Sequence, residues 1–132
     1  MLYSIIADIC PREGKLLLDL YAGTGTIGIL LAERFEKVYS VELVASATHD
    51  GEKNASINSI ANISFVNEKT EDFLPKFLTS GERADVLIVD PPRDGLHPKA
   101  SKTLLEFHPQ TLIYVSCNPA SLVRDLTILL ES

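Results

Sequence analysis

The sequence predicts a doubly wound α/β fold built around a mostly parallel sheet. Short continuous apolar runs alternate with longer amphipathic stretches along the 132 residues. Such runs are typical of strands buried on both faces, and the amphipathic stretches are typical of the helices that cover them. This alternation favours parallel strands joined by right-handed crossovers. The length fits one domain, and no linker, repeat or low-complexity segment divides it.

The elements follow in chain order. Apolar runs predict strands over Leu16–Tyr21, Val38–Glu42, Ile63–Val66, Val86–Asp90 and Leu112–Cys117. The segments between and after them predict helices over Thr26–Phe35, Ala45–Asn58, Glu71–Thr79, Pro98–Phe107 and Pro119–Leu130. A further short helix is expected over Met1–Ile9, because Pro11 and Gly14 follow it.

Two of the predicted helices differ in the quality of their pattern. Gly51 interrupts the helix over Ala45–Asn58 and costs it about 1 kcal/mol relative to Ala. In the last helix, Arg124 and Asp125 fall off an apolar face formed by Leu122, Val123, Leu126, Leu129 and Leu130.

The composition is that of a soluble globular protein, with 45% hydrophobic and 23% charged residues. A net charge of −6 repels phosphate backbones, so nucleic-acid binding would need a local basic patch or further sequence. No apolar run reaches transmembrane length and no secretory signal begins the chain, so the expected location is the cytoplasm. Cys10 and Cys117 lack metal-ligand spacing, so we expect reduced thiols and no metal.

A glycine loop and a following acid predict a cofactor site. Gly23–Gly28 has the GxGxxG pattern, follows a predicted strand and opens a predicted helix, as a nucleotide-binding turn does. Glu42 comes 19 residues after Gly23, where a carboxylate can bind both hydroxyls of a ribose. This spacing suits a dinucleotide or an adenosyl cofactor, and the alternative is a turn used only for packing. Asp19 favours S-adenosylmethionine, because a carboxylate repels pyrophosphate but attracts sulfonium and ammonium groups.

A stiff turn is predicted after the fourth strand. It reads Asp90-Pro91-Pro92-Arg93-Asp94-Gly95, and its two prolines cannot continue a ladder. Asp90 is therefore suited to orienting a cofactor or a base; the alternative is that it satisfies nearby amides. Enzymes that methylate amino groups often have an aromatic residue after the prolines, and Arg93 in that place makes such an activity less favoured.

Cys117 lies between the fifth predicted strand and the last helix. Asn118 is a candidate cap, and Pro119 suits the first helical position. Unpaired amides at a helix start stabilise a thiolate, which is the nucleophilic form of Cys. Cys10 has no such context and is expected to be a small buried hydrophobe.

Four segments, taken together and in order, resemble the RNA 5-methyluridine methyltransferase family: Asp19–Thr26, Val41–Glu42, Asp90–Leu96 and Ser116–Pro119. The resemblance covers nearly the whole chain. It implies a Rossmann-like class I methyltransferase fold over residues 1–132 that lacks its final strands. It also implies transfer of a methyl group from S-adenosylmethionine to carbon 5 of a uridine in tRNA or rRNA. Tyr21, Thr26, Glu42 and Asp90 would contact S-adenosylmethionine together with Gly23, and Cys117 would be the nucleophile.

The same resemblance implies parts that have no match in these residues. The family's general base is a Glu in a His-x-Glu motif beyond the cysteine helix, and Glu131 lacks that motif's neighbours. An amino-terminal RNA-binding domain and a Gln upstream of the glycine loop also have no counterpart. We therefore expect these 132 residues alone to be inactive.

Three other functions stay open at this point. The first is a methyltransferase for another substrate, in which Cys117 is structural. The second is a nicotinamide-dependent oxidoreductase, which Asp19 and Cys117 disfavour. The third is a non-catalytic nucleotide-binding module, for which Arg93 and Lys99 are the obvious basic contacts.

Overall fold

The computed structural model describes residues 2–107, 109–115 and 118–130. One five-stranded sheet consists of β1 (Gly14–Leu20), β2 (Phe35–Glu42), β3 (Ile63–Asn67), β4 (Val86–Val89) and β5 (Thr111–Tyr114). The helices are α1 (Leu2–Ile9), α2 (Thr26–Leu31), α3 (Ala45–Ile57), α4 (Thr70–Thr79), α5 (Pro98–Leu104) and α6 (Pro119–Leu130). All the strand pairs are parallel, and the predicted α/β fold class is confirmed.

The strand order is β3-β2-β1-β4-β5. The chain builds outward from β1 to β3 and then returns to place β4 on the other side of β1. In register, Leu17 of β1 lies between Val38 of β2 and Val86 of β4. The order therefore reverses between β1 and β4, and sheets of this type bind ligands at the carboxyl edge of that point.

The core has two layers, one on each face of the sheet. On one face, α1 and α2 pack against strand residues of the first layer: Leu17, Val38, Val86 and Ile88. On the other face, α4 and α5 pack against the second layer: Leu16, Leu18, Leu20, Val41, Leu87 and Val89. Burial on both faces explains why these strands have continuous apolar runs in place of alternation.

Several boundaries differ from the sequence prediction. The helix predicted over Thr26–Phe35 ends at Leu31, and a 3-10 turn over Ala32–Arg34 leads directly into β2. Phe35 is already a strand residue, because its ring is buried in the layer beneath α1 and α2. The helix predicted to Phe107 ends at Leu104, and β5 ends at Tyr114. The predicted strand residues 116–117, with the proposed nucleophile Cys117, lie outside the described residues.

The helix predicted around Gly51 is confirmed as α3 without interruption. A Cβ atom at Gly51 would lie 2.5 Å from the carbonyl oxygen of Thr24 and 2.6 Å from Cε1 of Phe65. Gly51 therefore allows α3 to approach the glycine loop more closely than any other residue would.

Within the described part of the chain, no helix combines the length and apolar character needed to cross a bilayer.

Candidate functional site

A cleft of about 940 Å³ opens at the carboxyl edge of the sheet. Its volume lies in the range of sites that hold a small ligand or cofactor. Four of the residues predicted from the sequence line it: Tyr21, Gly23, Glu42 and Asp90. The cleft thus brings together the loop after β1, the end of β2 and the turn after β4, where the topology predicts a ligand.

Glu42 holds the glycine loop in place. Its Oε1 accepts a hydrogen bond from the Gly23 N–H at 2.8 Å, and its Oε2 accepts one from the Val44 N–H at 2.8 Å. Gly23 and Gly25 have φ values of 61° and 76°, in the left-handed region that favours glycine. A carboxylate has about four acceptor positions, so each oxygen of Glu42 keeps one for a ligand.

Tyr21 is the first residue after β1 and has a left-handed φ of 55°. This conformation is costly for a residue with a side chain, and here it occurs at the wall of the cleft. Burial raises the pKa of Tyr21 to about 12, and its hydroxyl has no hydrogen-bond partner among the described residues. The phenol therefore stays neutral over the physiological range.

Asp19 lies under the start of α2 and does not line the cleft. It is fully buried, and its Oδ2 accepts a hydrogen bond from the Gly28 N–H at 3.0 Å. Its Oδ1 has no hydrogen-bond partner among the described residues. The pKa of Asp19 is raised to about 8, mainly by burial. The hydrogen bond from Gly28 offsets part of this rise, and the charges of Asp90 and Glu42 contribute to it. Asp19 is thus a neutral acid that supports the loop, in place of the predicted carboxylate beside a cationic ligand.

Asp90 begins the turn that follows β4. Its backbone N–H still donates to the Leu20 carbonyl at 3.3 Å, so the sheet fixes its position. Its side chain is exposed at the cleft, and partial desolvation raises the pKa of the carboxyl group. The turn closes with a hydrogen bond from the Gly95 N–H to the Pro92 carbonyl at 2.8 Å.

Of the two remaining predicted site residues, only Thr26 lies in the described part of the chain, and it does not line the cleft. Thr26 is exposed at the first position of α2, and its hydroxyl lies 3.0 Å from that of Thr24. Cys117 lies outside the described residues, but the predicted start of its helix is confirmed. Pro119 is the first residue of α6, and the Asn118 side chain accepts a hydrogen bond from the Ala120 N–H at 3.1 Å.

The lining residues at the starts of α4 and α5, and two further pairs, were missed by the sequence analysis. Leu43 and Val44 are 56% and 53% exposed at the cleft wall, and their signal was an apolar pair just after a strand end. Arg124 and Asp125 of α6 also line the cleft, although their position off the apolar face suggested solvent. Asp125 is in fact only 1% exposed, whereas Val123 of the predicted apolar face is 64% exposed.

The charge of the cleft favours a cationic ligand over a pyrophosphate. Five carboxylates outnumber three cationic side chains in its lining, namely those of Glu42, Glu71, Asp90, Asp94 and Asp125 against those of Lys69, Lys102 and Arg124. Across residues 2–107, 109–115 and 118–130, no cluster of three or more His, Cys, Asp or Glu side chains could hold a metal ion.

Fold and site together define a class I methyltransferase domain of the Rossmann-like type. A precorrin 8w decarboxylase of Methanobacterium thermoautotrophicum has the same fold, with a TM-score of 0.83 at 16% identity over 98% of this chain and 69% of that chain. A tRNA (uracil-54, C5)-methyltransferase of Pyrococcus abyssi, solved with S-adenosyl-L-homocysteine, gives a TM-score of 0.82 at 34% identity. That match covers 97% of this chain and 30% of the archaeal one.

The chain belongs to the tRNA (uracil-5-)-methyltransferase family, whose pattern matches residues 1–132. A protein of Enterococcus faecalis described as an uncharacterized RNA methyltransferase is 44% identical over 132 residues. One of Clostridium tetani with the same description is 41% identical over 132 residues. These matches cover 99% of this chain but only 29% and 28% of the relatives.

Proposed function

We propose that the chain binds S-adenosylmethionine in the cleft and carries the nucleophile of an RNA uridine C5 methyltransferase. The observation that carries this proposal is the cleft at the β1–β4 reversal point, in which Glu42 holds the Gly23 amide, in a member of this family. The neighbouring Pyrococcus abyssi enzyme was solved with S-adenosyl-L-homocysteine, which is the demethylated form of the same cofactor.

The residues of the cleft fit this cofactor group by group. The free acceptor positions of Glu42 suit the two ribose hydroxyls. Leu43 and Val44 offer an exposed apolar surface on which an adenine ring can pack. The excess of carboxylates, with Asp90 at the turn, suits the sulfonium and ammonium groups. Tyr21 completes the wall, and Thr26 remains a proposed contact from the family resemblance.

Cys117 is the proposed nucleophile. S-adenosylmethionine supplies an electrophilic methyl group when it is bound. The Cys117 thiolate would add to carbon 6 of uracil, so that carbon 5 gains the electron density needed to form its bond to the methyl carbon. The bond from that methyl carbon to the sulfonium sulfur would break at the same time and leave S-adenosylhomocysteine. A general base then removes the proton from carbon 5, and the carbon–sulfur bond breaks to release the thiolate. The capped start of α6 next to Cys117 favours the thiolate form.

The substrate we propose is a uridine in tRNA or rRNA. The family description and the Pyrococcus abyssi neighbour support tRNA, and the curated relatives are described as RNA methyltransferases. We also propose the cytoplasmic location that the sequence predicts. The base must leave its stack to enter a cleft of this kind, as in other enzymes that react at a base.

Calorimetric titration of the chain tests the cofactor part of the proposal. We expect binding heat with S-adenosylmethionine and S-adenosylhomocysteine, and none with NADH at the same concentrations. Binding of NADH alone would favour the oxidoreductase alternative. A folded sample that gives no heat at millimolar S-adenosylmethionine would contradict the proposed cofactor.

An RNA that contains 5-fluorouridine tests the nucleophile. After addition and methyl transfer, carbon 5 carries fluorine in place of hydrogen, which a base cannot remove as a proton, so the covalent adduct persists. We expect the native polypeptide that carries these residues to form this adduct in the presence of S-adenosylmethionine, detected as a mass increase equal to the RNA plus one methyl group.

Two cysteine variants make the adduct experiment specific. Cys117→Ala should abolish the adduct. Cys10→Ala is the matched control, because Cys10 is 4% exposed in the core beneath α1 and burial raises its pKa above the ordinary thiol value. If the Cys117→Ala variant still formed the adduct, Cys117 would not be the nucleophile and would have only a structural role.

A further inference from the structure

Four side chains in and just before α6 bind the backbone of the Asp90–Leu96 turn. We call them the α6 clamp: Asn118 directly precedes the helix, and Ser121, Arg124 and Asp125 lie within it. The first two act on one group. Asn118 Nδ2 and Ser121 Oγ both donate to the carbonyl oxygen of Arg93, each at 3.0 Å. The turn is therefore held by a helix that lies more than 20 residues later in the chain.

The other two residues bind the next part of the turn. Arg124 Nη2 donates to the Asp94 carbonyl at 2.7 Å, and Asp125 Oδ2 accepts from the Leu96 N–H at 2.8 Å. Arg124 Nη2 also lies 3.1 Å from Asp125 Oδ1, so the two side chains form one unit. Three backbone groups of one turn thus have partners on one part of α6.

Asp125 is the centre of the α6 clamp. It is almost completely buried and accepts hydrogen bonds from the Leu96 amide, the Arg124 guanidinium and the Tyr114 hydroxyl at the end of β5. Burial and the neighbouring carboxylate raise the pKa of Tyr114 above its ordinary value, so its hydroxyl remains a donor. A buried carboxylate with several charge-assisted partners strongly prefers one geometry.

Gly95 shows how closely the turn and the helix fit. A Cβ atom there would lie 2.5 Å from Arg124 Nη2 and 2.6 Å from Asp125 Oδ2. The φ of Gly95 is also +86°, which a residue with a side chain rarely adopts. Both the space and the backbone conformation of the turn therefore depend on this glycine.

We propose that the α6 clamp positions the nucleophile relative to the cofactor cleft. Cys117 directly precedes Asn118 in the sequence. The contacts of Asn118 and Ser121 with Arg93 fix the described residues that follow the proposed nucleophile. Asp90, at the other end of the turn, is anchored separately by its bond to Leu20 in the sheet. The α6 clamp residues are thus positioning residues for the proposed reaction, and the inference rests on that proposed function.

This arrangement predicts that loosening the α6 clamp lowers kcat much more than it lowers the affinity for S-adenosylmethionine. Loosening the α6 clamp leaves Glu42 and Asp90 in place but moves the start of α6, and a displacement of about 1 Å at a reacting group lowers rates about 100-fold. In the native polypeptide that carries these residues, we expect Asp125→Asn to lower kcat about 100-fold. Asp125 itself lines the cleft, so the Kd for S-adenosylmethionine should rise as well, but by less than about tenfold.

Two further variants keep the test decisive if Asp125→Asn does not fold. Tyr114→Phe removes only one donor to Asp125. Tyr114 does not line the cleft, so we expect kcat to fall about tenfold while the Kd for S-adenosylmethionine changes by less than threefold. Val123→Ala, on the exposed side of α6, is the matched control and should leave both constants unchanged. Circular dichroism at the assay temperature establishes that each variant is folded.

The outcomes separate this inference from the function on which it rests. Folded Asp125→Asn and Tyr114→Phe variants with kcat within threefold of wild type would overturn the positioning role. Equal losses in kcat and cofactor affinity for Tyr114→Phe would also overturn it, since the contacts of α6 would then act through cofactor binding. Wild-type protein that neither binds S-adenosylmethionine nor methylates RNA would instead contradict the proposed function.

Discussion

The two sides of the cleft are built differently. On the β1 side, the glycine loop is held by Glu42, which is 19 residues from Gly23 and two from Val44. On the β4 side, the turn after Asp90 is held by side chains that lie 25 to 30 residues further along the chain. The first side is thus fixed by local contacts between two adjacent strands, and the second by packing of a distant helix.

This difference separates two tasks. The β1 side presents the groups that suit a cofactor, and it needs only the β1–β2 unit to do so. The β4 side joins the cleft to the helix that follows Cys117, and it needs the whole sheet in place. We therefore expect substitutions in the glycine loop and at Glu42 to change cofactor affinity, and loss of the Tyr114 contact on the β4 side to leave it largely intact.

The largest effect on cofactor affinity is expected at Glu42. Glu42→Ala removes the acceptor of the Gly23 and Val44 amides and the proposed acceptor of the ribose hydroxyls. We expect affinity for S-adenosylmethionine to fall about 100-fold, or about 2.7 kcal/mol, as measured by calorimetry. Glu36→Ala is the control, because Glu36 is an exposed acid on the same strand that lies outside the cleft. Equal losses in the two variants would mean that only net charge matters.

Gly51 tests whether the β1 side depends on close helix packing. Gly51→Ala gains about 1 kcal/mol of helix propensity, but its methyl group would collide with the Thr24 carbonyl and Phe65. Overpacking costs about 1–3 kcal/mol, and against backbone we expect the upper end, so the net loss of unfolding free energy is about 2 kcal/mol. Urea denaturation measures it.

A control on the same helix separates packing from propensity. Ser56 is exposed on α3, and Ser56→Ala should change the unfolding free energy by no more than about 0.5 kcal/mol. A Gly51→Ala variant more stable than wild type would show that α3 can move away from the glycine loop.

The buried carboxyl group of Asp19, on the β1 side of the cleft, makes the free energy of unfolding depend on pH. Its pKa is about 8 in the folded protein, against about 3.9 in an unfolded chain. The stability contributed by neutral Asp19 is therefore fully present below about pH 4 and is lost as the pH rises toward 8. Between these values, wild type should lose up to about 1.4 kcal/mol per pH unit relative to Asp19→Asn.

Denaturation curves from pH 5 to 8 measure this difference. Asp50→Asn removes an exposed acid from α3 and should run parallel to wild type. Parallel profiles for wild type and Asp19→Asn would show that the buried carboxyl is ionised throughout.

The smallest effect is expected for Tyr114→Phe, on the β4 side. The variant loses one hydrogen bond to Asp125, which keeps its Leu96 and Arg124 partners. We expect the unfolding free energy to fall by about 1 kcal/mol and cofactor affinity to change less than threefold. A loss of affinity comparable to that of Glu42→Ala would end the distinction between the two sides.

The difference between local contacts on the β1 side and long-range contacts on the β4 side also explains which features could be predicted from the sequence. The strands, the glycine loop and Glu42 depend on apolar runs and on a spacing of 19 residues, so local pattern was enough. Asp125 was placed off the apolar face of its helix and so toward solvent. Its burial depends on Leu96 and Tyr114, whose positions only the assembled sheet determines.

The surroundings of Gly51 and Asp19 could not be predicted from the sequence for a related reason. Helix propensity treats Gly51 as a defect, because it ignores the carbonyl that lies 2.5 Å from where a Cβ would be. Asp19 follows the alternation of β1 onto the face that α2 covers, and its full burial makes the neutral acid the stable form. In both cases, tertiary packing outweighed a sound local argument.

The position of β5 at one end of the sheet has a consequence for handling the protein in solution. In the described sheet β5 pairs with β4 alone, so its outer backbone groups can template pairing with a second molecule. With four residues, such pairing is weak and grows with concentration. A net charge of −6 opposes it, and added salt screens that repulsion. Colloidal stability should therefore be greatest in dilute, low-salt buffer, where titrations report ligand binding without self-association.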